Sequence, residues 1–375
     1  MAKQIEKNKK QAHTFSSELV LLSAVLLLTG IGIVMVYSAS SALAMKTYGT
    51  DLYFVKKQAL FALIGIAAMV LCKYFPYRYY RHMTYPTVAL AFILLVAVQI
   101  SGIGYAAGGA QRWISFGIFS FQPSEFARFA MIIYLAYSMD KKRNRIKEFS
   151  IGFLPHVIIL TAFICLIILQ PDFGSVVILG VITWLMLFIG GARIVYLSSS
   201  LMVLLPIAYF FMISADYRIR RLLSFLDPWQ YKADEGYQIV HSLMAFGTGG
   251  ICGTGIGKGY QKLFYLPEPH TDFIFSVIGE ELGLIGIYAI ILLYAIILWK
   301  GISIARHATD IFGAFVAVGL TLAIGLEVFI NMGVALGLMP PKGLPLPFVS
   351  YGGTSLLLSM ASIGILMNIG ASKAR

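Results

Sequence analysis

The chain has 375 residues, of which 59% are hydrophobic and 12% carry a charge, and its mean hydropathy is +0.82. Soluble domains contain about 25% charged residues, so this composition excludes a water-soluble globular protein. The net charge of +12 would suit a nucleic-acid-binding protein, but the basic residues cluster between apolar segments, where they set membrane topology. We therefore expect anionic membrane lipid as their partner, and no nucleic acid.

Apolar segments recur along the whole chain. A transmembrane helix needs about 20 mainly apolar residues, and ten segments approach or exceed this length. The sequence thus predicts an all-α, polytopic membrane protein with about ten transmembrane helices. They lie near residues 19–41, 57–73, 84–101, 123–139, 152–169, 173–190, 193–213, 272–299, 311–338 and 350–370.

The distribution of Lys and Arg predicts the orientation. With the N-terminus in the cytoplasm, the cytoplasmic segments hold seventeen basic residues and the short outer loops hold five, as the positive-inside rule requires. Residues 1–18 are then a basic cytoplasmic tail, residues 19–370 the transmembrane domain, and residues 371–375 a cytoplasmic C-terminus.

A long connection of mixed polarity, residues 214–271, lies on the outer side between the seventh and eighth predicted helices. Its apolar pieces at 239–240 and 243–244 predict short helices in the membrane interface or dipping into it. Long loops in compact proteins are usually functional or disordered, and the aromatic content of this loop argues against disorder.

Ionisable residues within the predicted spans are few, and each is a functional candidate because a charge in the membrane is costly. Glu125 and Arg128 are three residues apart on one predicted helix, so they can pair on one face. They form a structural pair or line a polar cavity. Under either interpretation, we expect this face of the helix to point into the bundle. Glu280 is a candidate cavity residue, whereas Glu281 is assigned a structural role.

Asp272 directly precedes a long apolar helix at the predicted outer surface. One interpretation is helix capping, because Asp is favoured near a helix N-terminus. The other is a general base, and the two are compatible because the helix N-terminus favours the ionised carboxylate that a base needs.

Two unusual loops flank this region. The glycine run GTGGICGTGIGKG at 247–259 does not match a nucleotide-binding motif, since position 252 is Cys and position 259 is Gly; we interpret it as a tight, irregular loop. The proline-rich segment at 339–355 is a stiff connection that carries one cation, Lys342, which would suit an anionic headgroup.

Metal-binding and hydrolase motifs are absent from the sequence. His270 with Glu268 and Asp272 could bind a divalent cation weakly, and no stronger cluster of metal ligands is present.

Six motifs together resemble the SEDS family of membrane proteins, which contains FtsW, RodA and SpoVE. They fall in the family's order and cover almost the whole chain, and the last of them is more similar to FtsW and SpoVE than to RodA. The motifs are GAQRWI at 109–114, FQPSE at 121–125, QPDFG at 170–174, GYQIV at 236–240, LPEPHTDFIF at 266–275 and KGLPLPFVSYGG at 342–353.

The resemblance implies a peptidoglycan glycosyltransferase that polymerises lipid II at the outer face of the cytoplasmic membrane. The implied partners are a class B penicillin-binding protein and other membrane proteins of the division machinery at the septum. Asp272 corresponds to the essential acidic residue of the family's large outer loop. The candidate substrate-binding residues are Arg112, Trp113, Gln122, Ser124, Glu125, Arg128, His270, Glu280, Lys342 and Ser350.

This chemistry assigns roles to several of these residues. A base must take a proton from the acceptor hydroxyl, and Asp272 is the candidate. The pyrophosphate leaving group needs positive charge, for which Arg112 and Lys342 are candidates, with a bound Mg or Mn ion as an expected helper. Trp113 would stack on a sugar or anchor the chain at the interface.

Two other functions stay open at this point. Ten helices with cavity carboxylates would also suit a transporter that flips lipid II, but the site of a transporter is expected near the membrane midplane within repeated, broken helices. A non-catalytic scaffold that recruits the transpeptidase would not need the Asp272 carboxylate.

Overall fold

The computed structural model describes residues 2–372, apart from residues 101, 103, 108–109, 118, 214–215, 235 and 264–265. Gly109 of the GAQRWI motif and most of the predicted C-terminal segment, 373–375, therefore lie outside the described residues. The backbone of the predicted tail is helical from Ala2 and continues into the first span.

The described part of the chain folds into a helical bundle with one small sheet. Its elements, in chain order, are α1 (Ala2–Tyr48), α2 (Tyr53–Tyr74), α3 (Arg78–His82), α4 (Thr84–Ala97), β1 (Gly104–Ala107), β2 (Ala110–Phe116), β3 (Phe119–Phe121), α5 (Pro123–Lys141), α6 (Leu154–Ile168), α7 (Phe173–Ile189), α8 (Ile194–Ile213), α9 (Asp216–Leu226), α10 (Tyr237–Gly249), α11 (Ile274–Arg306), α12 (Ile311–Ala335) and α13 (Gly353–Ser372).

Each of the ten predicted spans coincides with a helix. Among the described residues, α1, α2, α11, α12, α13 and α6 with its preceding π-helical turn are long and apolar enough to cross a membrane, while α4, α7 and part of α8 are shorter apolar helices. The prediction of an all-α, multi-pass membrane protein is thus confirmed. Most helix boundaries differ from the predicted ones by a few residues; α1 differs most, since it begins at Ala2 and ends at Tyr48, and α11 continues to Arg306.

A three-stranded antiparallel sheet between α4 and α5 was not predicted. Its strand order is β1-β2-β3, and Ile114 at its centre pairs with Gly104 on one side and Phe121 on the other. The buried Ile114 side chain fixes which face of β2 turns inward. Arg112 shares this face of β2, Trp113 lies on the opposite face, and the sheet stands at the end of the bundle where α5 begins.

Small residues let the central helices approach closely, as is usual where helices pack within a membrane. A Cβ atom at Gly364 of α13 would overlap the backbone of Met69 on α2, and one at Gly319 of α12 would overlap Ile132 on α5. Helices α5, α12 and α13 form the buried centre, and α2 packs along α13.

The loop helices α9 and α10 differ in their surroundings. Leu223 and Leu226 of α9, a helix outside the two apolar pieces singled out in the sequence, are exposed. By contrast, α10 packs into the bundle: the Ser242 hydroxyl donates to the Ala335 carbonyl (2.5 Å) and shares a hydrogen bond with Ser276. The apolar pieces at 239–240 and 243–244 thus form a short helix, as predicted, and its apolar face is buried against α11 and α12.

Helix α11 is broken at Gly283, where the backbone has a positive φ of 64°. The glycine run fills the break. Carbonyls of 280–281 accept N–H groups of 254–255 at 2.9 and 3.0 Å, and N–H groups of 284–285 donate to carbonyls of 250–251 at 3.0 and 3.3 Å. The run is therefore a structural insert, as the irregular-loop interpretation predicted. It supplies hydrogen-bond partners for backbone groups of α11 that lipid could not satisfy.

A buried ion pair locks the same loop to two helices. The Lys262 ammonium lies 2.5 Å from a Glu281 carboxylate oxygen and 2.8 Å from the Ser38 hydroxyl on α1. Ser38 also donates to Glu281, and the Gly257 N–H donates to it at 3.0 Å. The structural role predicted for Glu281 agrees with these contacts.

We expect Lys262→Met to lower the free energy of unfolding by about 3–5 kcal/mol, because it leaves the buried Glu281 charge without its counter-ion. The measurement is denaturation of the purified chain in detergent. Arg145→Ala is the matched control: it removes the exposed pair with Glu148, which contributes at most about 1 kcal/mol. Equal losses in the two variants would contradict the proposed anchoring.

Candidate active site

Asp272 lies at the start of α11 without capping it. The N-cap position is Phe273, and no side chain caps the helix. The carboxylate of Asp272 has no hydrogen-bond partner among the described residues. The capping interpretation is therefore wrong: this partly buried carboxylate is free to accept a proton from another molecule.

Three consecutive carbonyl groups fix the backbone that carries this carboxylate. The His270 carbonyl accepts the Tyr351 N–H at 2.9 Å, the Thr271 carbonyl accepts the Ser350 hydroxyl at 2.6 Å, and the Asp272 carbonyl accepts the amide of Asn331 at 3.0 Å. Two of the three donors belong to the proline-rich loop, residues 339–352. That loop and the Asp272 segment thus form one unit.

Ser350 has a structural task within this unit. Its hydroxyl donates to Thr271 and accepts the Leu346 N–H at 2.8 Å, and its carbonyl accepts the amide of Gln58 on α2. The Ser350 side chain is 3% exposed. It therefore supports the Asp272 segment. The sequence had suggested a substrate contact for Ser350, but its buried side chain is not placed to make one.

Gly343 of the same loop faces the Asp272 carboxylate. A Cβ atom at this position would lie 3.1 Å from Asp272 Oδ2, so the loop backbone passes directly over the carboxylate. Lys342 is the preceding residue and is half-buried. Burial lowers the pKa of Lys342, which reflects the loss of water around its ammonium group.

The pKa of Asp272 is raised to about 7. Burial is the main cause, and the neighbouring Glu268 carboxylate raises the pKa further, while the Arg112 guanidinium lowers it. A carboxylate with this pKa is partly ionised at neutral pH, which suits a general base.

Arg112 is held at this end of the bundle by the turn between α6 and α7. Its Nε donates to the Gln170 carbonyl at 3.2 Å, and a second guanidinium nitrogen donates to the Pro171 carbonyl. Trp113 pairs with Tyr105 across the sheet. The structure therefore brings Arg112 into electrostatic range of Asp272, although the two residues are far apart in the sequence.

Gln122 and Ser124 surround a second carboxylate, Asp172. Their side chains donate to Asp172 Oδ2 at 3.1 and 3.0 Å, and Ser175 donates at 2.7 Å. Asp172 also caps α7 through the Ser175 N–H. The sequence placed Gln122 and Ser124 among the substrate-binding residues, but these hydrogen bonds tie α5 to α7. Asp172 itself was missed, although the QPDFG motif contains it.

Glu125 and Arg128 line a cavity of about 30 Å³ between α5, α12 and α13, which would hold about two water molecules. The predicted pair between them is not the one that forms: Arg128 pairs with Glu327 on α12, with 2.5 Å between their charged atoms. Glu125 is 6% exposed and its Oε2 has no partner among the described residues. The prediction that this helix face turns inward is confirmed.

His270 is buried between the rings of Phe54 and Tyr351. Burial lowers its pKa to about 4, so the ring is neutral at physiological pH. Its Nε2 lies 4.0 Å from a Glu268 oxygen, and no group of three or more His, Cys, Asp or Glu side chains in the described part of the chain could hold a metal. His270, Glu268 and Asp272 therefore do not fit a protein-held metal site.

Glu280 contacts the loop and not the Asp272 unit. One carboxylate oxygen accepts the N–H groups of Tyr260 and Gln261, at 2.7 and 3.2 Å. These contacts explain why an acidic residue is tolerated inside α11. The sequence had predicted that Glu280 lines a substrate cavity. Its carboxylate instead accepts hydrogen bonds from the loop backbone.

The site thus combines one free carboxylate with two cationic residues, Arg112 and Lys342, at one end of the bundle. This arrangement can remove a proton from a hydroxyl group and stabilise negative charge that develops nearby. Sequence reasoning found these three residues but missed Asn331, whose signal was a lone amide within an apolar helix.

Comparisons with known proteins match the whole bundle. The family model for FtsW, RodA and SpoVE, described as cell cycle protein, matches residues 18–375. The chain is 46% identical over 352 residues to a Geobacter metallireducens protein named probable peptidoglycan glycosyltransferase FtsW, with 94% of each chain covered. It is 43% identical to stage V sporulation protein E of Bacillus subtilis, over 94% of this chain and 97% of that protein.

Solved structures share the fold at lower sequence identity. One, described as structural coordination of polymerization and crosslinking by a peptidoglycan synthase complex, has a TM-score of 0.77 at 24% identity and covers 94% of this chain and 97% of that one. The Thermus thermophilus rod shape determining protein RodA has a TM-score of 0.70 at 24% identity, with 95% and 97% covered. The chain belongs to the FtsW/RodA/SpoVE family of membrane proteins, which the six sequence motifs had indicated.

Proposed function

We propose that the chain is a peptidoglycan glycosyltransferase that polymerises lipid II, with Asp272 as the general base. The observation that carries the proposal is the free, partly buried Asp272 carboxylate, fixed through three backbone carbonyls and with a pKa of about 7. The names of the relatives, 46% identical across almost the whole chain, support the same activity.

The proposed reaction needs one proton acceptor. Asp272 takes the proton from the acceptor sugar hydroxyl. At the same time the hydroxyl oxygen bonds to the anomeric carbon of the donor sugar, with inversion at that carbon. The bond from that carbon to the lipid pyrophosphate breaks, and the pyrophosphate leaves with the bonding electrons. Arg112 and Lys342 stabilise its charge, so no general acid is required. We propose that a divalent cation, Mg or Mn, enters with the pyrophosphate and not on a protein-held site.

We infer the location and partners from the charge pattern and the relatives. The excess of basic residues on one side supports cytoplasmic termini. With that orientation, the Asp272 end of the bundle would lie at the outer face of the cytoplasmic membrane. The similarity to FtsW proteins supports action at the division septum with other division proteins, and with a class B penicillin-binding protein as transpeptidase partner.

A lipid II flippase is the second candidate, because Glu125, Arg128 and Glu327 form a polar cluster inside the bundle. The cation of this cluster, Arg128, is already paired with Glu327, which counts against the cluster as a binding site for the pyrophosphate. A non-catalytic scaffold remains the third candidate, and Asp272 variants distinguish it from an enzyme.

We expect Asp272→Asn to reduce the rate of glycan polymerisation by about 10²–10⁴-fold, the usual contribution of a general base. The assay uses purified chain with its cognate transpeptidase, whose own active site is inactivated, and lipid II as substrate. The substitution preserves size, and thermal unfolding checks the fold. Wild-type polymer without a loss in the variant would contradict the role of Asp272; absence of wild-type polymer would favour the flippase.

The rate should depend on pH through Asp272. A base is active when ionised, and the pKa of this carboxyl is about 7. We expect the initial rate to rise about tenfold per pH unit below that value and to level off above it. A rate that is constant between about pH 5 and pH 7, where a normal Asp is already ionised, would exclude Asp272 as the titrating base.

Gly343→Ala tests the contact above the carboxylate. The new methyl group would lie 3.1 Å from Asp272 Oδ2, so we expect the carboxylate to shift by a few tenths of an ångström and the polymerisation rate to fall by up to about tenfold. Gly352→Ala in the same loop is the control, because its methyl group would meet no atom closer than 3.6 Å. Similar rates for the two variants would show that the contact is unimportant.

A further inference from the structure

Asn331 lies near the end of α12 and bridges two segments that meet at the candidate site. Its side-chain amide donates to the Asp272 carbonyl at 3.0 Å and to the Leu344 carbonyl at 2.7 Å. Because both neighbours are acceptors, the NH₂ group must face them, which fixes the orientation of the amide. Both amide hydrogens are thereby used.

The bridge sits where the proline-rich loop passes over the carboxylate. Leu344 follows Gly343, whose backbone faces Asp272 Oδ2. Asn331 therefore bonds both Asp272, which carries the carboxylate, and Leu344, which follows the glycine that faces this carboxylate. Ser350 and Tyr351 tie the same loop to residues 271 and 270, but they lie seven and eight residues after Gly343 in the chain.

A buried amide at this position of α12 destabilises the fold unless its hydrogen bonds serve a purpose. Asn331 is 1% exposed, and its Oδ1 has no partner in the part of the chain that the structure describes. A buried polar atom without a partner is destabilising, and an apolar residue of similar size would fit a membrane helix better. The amide provides two hydrogen bonds to carbonyls that a leucine could not form.

We propose that Asn331 is a positioning residue that holds the Asp272 carboxylate beneath Gly343 for proton removal. The inference rests on the proposed function and extends it, since Asn331 touches the carrier segment and not the substrate. Without the bridge, Leu344 loses its bond to α12, so residues 342–344 can move away from the carboxylate and admit water to it.

Loss of the bridge should change how Asp272 titrates. The charged groups that act on it are Glu268 on its own segment and Arg112 on β2; the other titratable groups of the site are His270 on the same segment and Lys342, which precedes Gly343 on the loop. Burial is the largest cause of its raised pKa. When the loop no longer covers the carboxylate, its pKa should fall from about 7 toward the ordinary value of about 4.

The test compares wild type, Asn331→Leu and Thr321→Val. Thr321 is a buried residue of the same helix whose hydroxyl bonds within the helix, to the Ala317 carbonyl, so its variant loses a polar contact away from Asp272. Initial rates of glycan formation from lipid II are measured from about pH 5 to pH 9. For Asn331→Leu we expect a plateau rate lower by about a hundredfold and a midpoint shifted to lower pH, with Thr321→Val unchanged in midpoint.

A second readout does not depend on activity. The infrared absorbance of the protonated Asp272 carboxyl, identified by its loss in Asp272→Asn, is titrated in wild type and in Asn331→Leu. A midpoint that falls in Asn331→Leu supports the positioning role. An unchanged midpoint, by infrared or by rate, would overturn it even if activity is reduced, because the surroundings of the Asp272 carboxylate would then be the same with and without the bridge. Absence of wild-type polymer would count against the proposed function, and the infrared result would still decide the role of Asn331.

Discussion

Backbone N–H and C=O groups within a membrane have no water to bond, so each break in a helix must be filled by another part of the protein. Helix α11 is broken at Gly283, about 13 Å below its start at a rise of about 1.5 Å per residue, and residues 250–255 pair the freed groups on both sides. Once inserted, this segment is locked by the buried Lys262–Glu281 pair. The rest of the large loop must then return to the start of α11, where Asp272 lies.

The candidate site is assembled from segments that are distant in sequence. The start of α11 supplies Asp272, the proline-rich loop supplies Lys342 and the Gly343 cover, and β2 supplies Arg112. Each is fixed by hydrogen bonds to backbone carbonyls: Asn331 and Ser350 hold the first two together, and the turn at 170–171 holds the third. Such rigid support keeps a base and its neighbouring charges in place without substrate.

The sequence predicted the ten helices well, because a run of apolar residues reports a span directly. It also selected Asp272, Arg112 and Lys342, whose motifs resemble the family. It did not predict pairings between distant segments: Arg128 binds Glu327 and not the neighbouring Glu125, and Gln122 and Ser124 bind Asp172. The short sheet and the burial of α10 were missed for the same reason, since both depend on tertiary contacts that local periodicity does not report.

A structure of the chain with an unreactive lipid II analogue in both sugar sites would test the central claim most directly. We expect the acceptor hydroxyl within about 3 Å of an Asp272 carboxylate oxygen, with the pyrophosphate beside Arg112 and Lys342. An analogue whose pyrophosphate instead lies at Arg128, between α5 and α12, with its acceptor hydroxyl away from Asp272, would contradict the assignment and place the headgroup on a path through the bundle.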